Sequence, residues 1–139
     1  MRQKPAAVRA AANIGRTGVD EIMQILLQYS GGTLVFLESG LIDEERQEVR
    51  IVGTEGTMCI NNFWYADRLT IQHRDGRAEE IQMEDHTEIW TPERHDYQLL
   101  QFADCVRNGG GTQNLWSAED SLAVYEIMED VFRQIGIIW

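Results

Sequence analysis

Apolar and polar residues alternate along the first two thirds of the chain, and turn residues punctuate the alternation. Val19–Tyr29 and Thr33–Gly40 flank Ser30-Gly31-Gly32, a turn that needs residues tolerant of positive φ. Glu48–Val52 and Thr57–Trp64 flank Gly53-Thr54-Glu55-Gly56. Arg68–His73 and Ala78–Met83 flank Arg74-Asp75-Gly76-Arg77, where Asp-Gly is the strongest short hairpin signal in the chain. Three consecutive hairpins predict an antiparallel sheet, because a parallel one would need strand–helix–strand alternation. Upstream, Pro5 and the alternation in Ala6–Gly15 predict a first strand.

The period then lengthens. In 92–111, Tyr97, Leu100, Ala103 and Val106, with Leu99 and Phe102, fall on one helical stripe. Pro92 suits the first turn of this helix, and Asn108-Gly109 ends it. A second helix is predicted from Ser117, an N-cap followed three residues on by Asp120 in a capping-box pattern. Leu122, Tyr125, Met128 and Phe132, with Val124, Ile127 and Val131, give it a wide apolar face, and Gly136 is its C′ candidate. The fold class is therefore α+β: one domain over residues 1–139, an open, mostly antiparallel sheet built from hairpins, with the C-terminal helices packed on one face.

Side-chain parity adds a partner. Met23, Ile25, Leu27 and Tyr29 form one apolar parity, but Leu34, Val35, Phe36 and Leu37 are apolar on both sides. Later strands are one-sided: Leu69 and Ile71 oppose Thr70 and Gln72, and Ile81 and Met83 oppose Glu80 and Gln82. A sheet with one wet face alternates cleanly. Two helices can serve one face, so the second face of the first strands is expected to be covered by another copy of the chain, as a dimer or larger homo-oligomer.

Composition narrows the partners further. At 139 residues the chain is long enough to bury a core, and its 25% charged residues give a net charge of -11. That sign argues against nucleic acid or anionic lipid as a partner. No apolar run is long enough to span a membrane. All 23 acids lie after residue 17, while Arg2, Lys4, Arg9 and Arg16 lie before it. An Arg- and Ala-rich, acid-free start also has the composition of a transit peptide, beside the strand reading of the same residues. Cys59 and Cys105 read as buried thiols in a reducing compartment, which points to the cytoplasm.

No catalytic constellation emerges. A dinucleotide fingerprint or a P-loop needs a strand, a glycine loop and then a helix, but a strand follows Gly53–Thr57, and Glu55 at the tip would repel a phosphate. Gly109–Thr112 follows a helix and reads as a stop. His73, His86 and His95 are in no ligand spacing, and Cys59 and Cys105 form no C-x-x-C. Glu93 and Asp96, flanking His95, complement a helix dipole. Ser30, Ser39, Ser117 and Ser121 sit in no nucleophile elbow. Glu79, Glu80, Glu84, Asp85 and Glu88 read as a solvated face. No residue is assigned a catalytic, cofactor-binding or metal-ligating role.

The order of these features resembles the C-terminal domain of the Gfo/Idh/MocA oxidoreductases, the group of glucose-fructose oxidoreductase, inositol dehydrogenases and dihydrodiol dehydrogenases. The matching motifs are the P-x-x-V-x-A start, the G-V-D-E followed by Y-x-G-G, the I-x-G-T-E-G hairpin and the S-A-x-D-S-L helix opening. The resemblance implies helices on one face of a large open sheet, a contribution to a sugar or diol site, and a sheet face used for oligomerisation. It also implies NAD or NADP, held by an N-terminal Rossmann domain rather than by this chain. The family's glycine fingerprint is absent. Gln3-Lys4-Pro5 is not its E-K-P motif, because a strand follows directly. Its catalytic Asp-x-x-x-His or tyrosine motif precedes the strand at which this chain starts, so no family catalytic residue carries over to any position.

The expectation is a catalytically incomplete part of an NAD(P)-dependent oxidoreductase for a sugar-like or diol substrate, supplying pocket walls and a subunit interface. It would be a fragment, or the product of a truncated or split gene, and a separate Rossmann-domain chain is then a further partner. The alternative is a free-standing oligomerising or small-ligand-binding protein derived from such a domain. An unrelated hydrolase using scattered acids is a third reading.

Overall fold

A computed structural model describes residues 3–41, 47–63, 66, 68–82, 96–109 and 117–137, with the side chains of Asp96 and Tyr97 left aside. Its elements are β1 (Ala7–Ile14), β2 (Asp20–Gln28), β3 (Leu34–Gly40), β4 (Glu48–Val52), β5 (Gly56–Asn61), β6 (Arg68–His73), β7 (Ala78–Gln82), α1 (Asp96–Arg107) and α2 (Ala118–Ile135). The class is α+β, as the alternation predicts. The strands form two antiparallel sheets rather than one, ordered β1-β2-β3 and β4-β5-β6-β7. All three predicted hairpins are present, and pairing stops between β3 and β4. The chain divides accordingly into two compact units, Met1–Glu45 with Thr112–Trp139, and Arg46–Gly111.

The first unit places α2 on its three-stranded sheet. Val8, Leu27 and Val131 form its buried centre, with Ile25, Val35, Ile127 and Ile135 packed around them. The register pairs Val8 with Leu27 and Leu27 with Val35, so these residues share the covered face. The side chain of Gln134 also closes the free edge of β1. Its Oε1 accepts from the Ala10 N–H at 3.0 Å, and its Nε2 donates to the Val8 carbonyl at 3.2 Å. An open strand edge is a template for unwanted pairing, and a side-chain amide that mimics a neighbouring strand blunts it.

Helix α2 starts where the capping box predicts. The Ser117 hydroxyl accepts from the Asp120 N–H at 3.2 Å, and Asp120 Oδ2 accepts from the Ser117 N–H at 2.9 Å. Gly136 ends the helix with φ 79°, and its N–H donates to the Phe132 carbonyl. Ser117→Ala is expected to cost about 0.5–2 kcal/mol, because a helix N-terminus leaves its first N–H groups without partners. Glu55→Ala, at an exposed hairpin tip, should stay within about 0.5 kcal/mol. Urea melts of the two variants check the pair. A costlier change at Glu55 would mean that the tip is engaged rather than solvated.

In the second unit the sheet alternates as its sequence does. Val49, Ile51, Met58, Ile60, Leu69 and Ile71 share one face, and Arg50, Cys59, Thr70 and Glu80 the other. Helix α1 leaves Leu99, Phe102 and Val106 exposed, so the sheet-covering role expected of both helices is filled by α2, on its own sheet. The stripe on α1 follows from local spacing; what it packs against depends on contacts far along the chain.

Candidate functional site

The glycine-rich stretch between β4 and β5 is a turn and not a phosphate loop. The Gly53 N–H donates to the Gly56 carbonyl at 2.8 Å, and strand pairing begins at once with Val52 opposite Thr57. The Glu55 carbonyl accepts from the Arg74 N–H at 3.1 Å, which ties this turn to the next hairpin. No helix N-terminus follows, so the geometry that turns glycine-loop N–H groups on a pyrophosphate is missing here. These residues do not fit a nicotinamide dinucleotide.

The charged candidates gather on the β6–β7 hairpin as surface pairs. His73 Nε2 lies 2.9 Å from Glu79 Oε1, Arg77 Nε donates to Asp75 Oδ2 at 2.8 Å, and Arg68 lies 3.5 Å from Glu80. The Asp75 carboxyl is held below its ordinary value, first by the Arg77 side chain and then by the Arg77 backbone N–H. Its folded-state pKa is lowered, so the stability it contributes is present above its ordinary pKa and fades as pH falls through the lowered one. Full exposure keeps that contribution small.

Ser117 serves as a cap and Ser121 donates to its carbonyl at 3.3 Å, so neither is placed as a nucleophile. Cys59 and Cys105 are each half-buried, rather than fully buried as the sequence suggests. Cys59 lies on an interior strand between Arg50 and Thr70, on the polar side of its sheet. His86, His95, Glu84, Asp85, Glu88 and Pro92 lie outside the described residues. Among the described residues no group of three His, Cys, Asp or Glu side chains is gathered to hold a metal. No helix there is long and apolar enough to cross a membrane.

Two surfaces of the first unit remain as candidate sites. One is a cleft of about 530 Å³ between the approach to β1, the β2–β3 turn and the first half of α2, lined by Lys4, Tyr29, Thr33, Asp120 and Val124. It has the size of a small-molecule site. Lys4 pairs with Glu126 and Asp120 with the Ser117 cap, and the cleft pairs no nucleophile with a base. The sequence gives no local sign of it, because Lys4 and Glu126 meet only through the fold.

The other is the face of the three-stranded sheet opposite α2. Arg9, Leu26 and Phe36 form one row across it, and Ala7, Gln28 and Leu34 and then Ala11, Gln24 and Glu38 form the rows on either side. Leu34 and Phe36 are both 63% exposed, and Leu26 is 40% exposed. Leu34 and Phe36 are among the residues whose parity predicted a second apolar face.

Comparison with known proteins follows this geometry. No family model matches the sequence. The chain is 24% identical over 138 residues to trans-1,2-dihydrobenzene-1,2-diol dehydrogenase of Xenopus laevis, covering 99% of this chain and 42% of that protein. It is 27% identical over 135 residues to the scyllo-inositol 2-dehydrogenase (NADP(+)) IolU of Bacillus subtilis, covering 97% and 39%. In structure it matches levoglucosan dehydrogenase in complex with NADH and levoglucosan with a TM-score of 0.74 at 15% identity, over 96% of this chain and 43% of that one. UDP-N-acetylglucosamine 3-dehydrogenase GnnA of Acidithiobacillus ferrooxidans matches with a TM-score of 0.70 at 16% identity, over 95% and 41%. The chain resembles the C-terminal part of a Gfo/Idh/MocA oxidoreductase. It spans about two-fifths of the length of the curated relatives it matches. The Gfo/Idh/MocA likeness runs through both units, since the matched region is nearly the whole chain. It therefore accounts for the hairpin order and for the capped terminal helix together.

Proposed function

We propose that this chain is the substrate-side and subunit-interface part of an NAD(P)-dependent oxidoreductase of the cytoplasm. The parent reaction would be hydride transfer between a nicotinamide and an alcohol carbon of a sugar-like or diol molecule. The observation that carries this reading is the extent of the match. Nearly the whole chain aligns with dehydrogenases named for a dihydrodiol and an inositol, at a constant two-fifths of their length. In such an arrangement this chain contributes pocket walls, for which the Tyr29 cleft is the candidate, and the open face of β1–β3 joins subunits.

The nicotinamide does not belong to this chain in the proposal, because Gly53–Gly56 closes a hairpin. Titration of the 139-residue chain with NADH and NADPH, followed by nucleotide fluorescence and calorimetry, is expected to show no saturable binding at micromolar concentration. Saturable binding would overturn the assignment of the cofactor to another part of the enzyme. A glycine-rich Rossmann reading frame directly upstream in the coding DNA supports the oxidoreductase reading; its absence there favours a free-standing derivative of the domain.

A further inference from the structure

Two turns place a glycine directly after a side chain whose carbonyl carbon the glycine nitrogen can attack: Asp75-Gly76 and Asn108-Gly109. Glycine lacks the Cβ that crowds the backbone nitrogen of other residues. Asn108 is the one asparagine of the chain that a glycine follows. The attacking nitrogen is held alike in both turns. The Gly76 N–H donates to the His73 carbonyl at 3.1 Å, and the Gly109 N–H to the Val106 carbonyl at 3.2 Å. Both glycines have positive φ, 90° and 82°. The difference lies in the side chain under attack.

Asp75 is clamped. Its Oδ1 accepts from the Arg77 N–H at 3.0 Å and its Oδ2 from Arg77 Nε at 2.8 Å. Arg77, first through its side chain, also holds this carboxyl below its ordinary value. The neutral form, which alone can lose an oxygen as water, is therefore scarce. Asn108 has no such clamp. It is exposed, and among the described residues no hydrogen bond holds its carboxamide. Its own N–H donates to the Asp104 carbonyl at 3.0 Å, at the end of α1. The last turn of a helix frays at little cost in free energy. Opening it frees the Gly109 nitrogen and the Asn108 side chain together.

We propose that Asn108 is a site of spontaneous deamidation that loosens the end of α1, while Arg77 protects Asp75 in the same sequence setting. The reaction needs only water. The Gly109 nitrogen gives its proton to a solvent base and bonds to Asn108 Cγ. The Cγ–Nδ2 bond breaks, and Nδ2 takes a proton from solvent and leaves as ammonia. Water then opens the cyclic imide. Attack at Cγ gives aspartate. Attack at the main-chain carbonyl of residue 108 gives isoaspartate, with the chain now running through the side chain. Either product sets a carboxylate at the negative end of the α1 dipole, one turn after Asp104. Like charges four residues apart on a helix repel, and Arg107 is already paired with Asp104 at 2.8 Å.

The test incubates the 139-residue chain in mildly alkaline buffer, native and in urea. Peptide maps that resolve asparagine, aspartate and isoaspartate follow both turns with time. In urea both react as their sequences dictate. Folding is expected to slow isomerisation at Asp75 far more than deamidation at Asn108. Arg77→Ala, folded by circular dichroism, should release Asp75 in the native chain and leave Asn108 at the wild-type rate. Asn108→Gln should form no acidic product at 108. Asn108→Asp carries the charge without the rearranged backbone, and should quicken amide exchange from Asp104 to Gly109. Equal protection of the two turns by folding, or faster loss of ammonia at another asparagine, overturns the assignment of Asn108. An Asp75 still protected in Arg77→Ala overturns the role of Arg77. Unchanged exchange in Asn108→Asp overturns the loosening of α1.

Discussion

Val131→Ala is expected to lower the stability of the chain by about 2–3 kcal/mol, while Leu122→Ala on the same helix changes it by no more than about 0.5 kcal/mol. Val131 is 2% exposed and sits where α2 meets Val8 and Leu27. Truncating it removes two methyl groups, about 0.8 kcal/mol each as transfer from water, and adds the loss from a void that β1 and β2 cannot collapse to fill. Those strands are held by ladder hydrogen bonds from Ala7–Gln28 onward, and Gln134 fixes α2 to the edge of β1. Leu122 is 58% exposed one turn inside the N-cap, where alanine is the better helix former. Equilibrium unfolding in urea, followed by circular dichroism, measures both. Equal effects at the two positions would mean that α2 is rotated on its sheet, with a different stripe facing β1.

That contrast also marks what the sequence could and could not tell. Seven apolar residues of α2 were readable as one wide face, but Val131 and Ile127 point at the sheet while Leu122, Tyr125 and Met128 do not. The period of a helix says that an apolar face exists; which part of a broad face is buried depends on the shape of the partner. Hairpins were legible because turn chemistry is local. Gly32 and Gly76 have φ of 84° and 90°, values that glycine adopts freely, and each falls where its dipeptide predicts a turn. The capping box of α2 was legible for the same reason. The His73–Glu79 contact was missed, although the Asp75-Gly76 turn fixes the register that creates it. The division into two sheets was illegible, because residues 41–47 between β3 and β4 carry no glycine or proline turn signal that says whether the two strands pair. Candidate chemistry follows the same rule. Glu55 and Ser117 could be assigned as turn and cap from their neighbours, whereas the Tyr29 cleft joins residues some 120 positions apart and leaves no local trace.

Gly56→Ala is expected to destabilise the second unit by about 1–3 kcal/mol, and Gly53→Ala, three residues earlier in the same hairpin, to be neutral or mildly stabilising. Neither glycine has a positive φ, so the difference is one of space and not of backbone conformation. A Cβ on Gly56 would lie 2.5 Å from the Gln72 carbonyl oxygen and 3.2 Å from both the Gln72 carbonyl carbon and His73 Cα. All three are backbone atoms of β6, so no side-chain rotation relieves the contact. The strands must separate where Gly56 faces His73, at the first rung of the β5–β6 ladder. A Cβ on Gly53 meets only the Gly56 carbonyl oxygen, at an ordinary 3.6 Å. There alanine mainly removes conformational freedom from the unfolded chain, which is worth about 0.4–1 kcal/mol to the folded one. Paired urea melts give the sign of each change, and amide exchange at Thr57, Met58 and Cys59 locates it. A Gly56→Ala chain as stable as wild type, with those amides still protected, would mean that β5 and β6 stand farther apart at this rung, and that the glycine in the hairpin marks the turn alone.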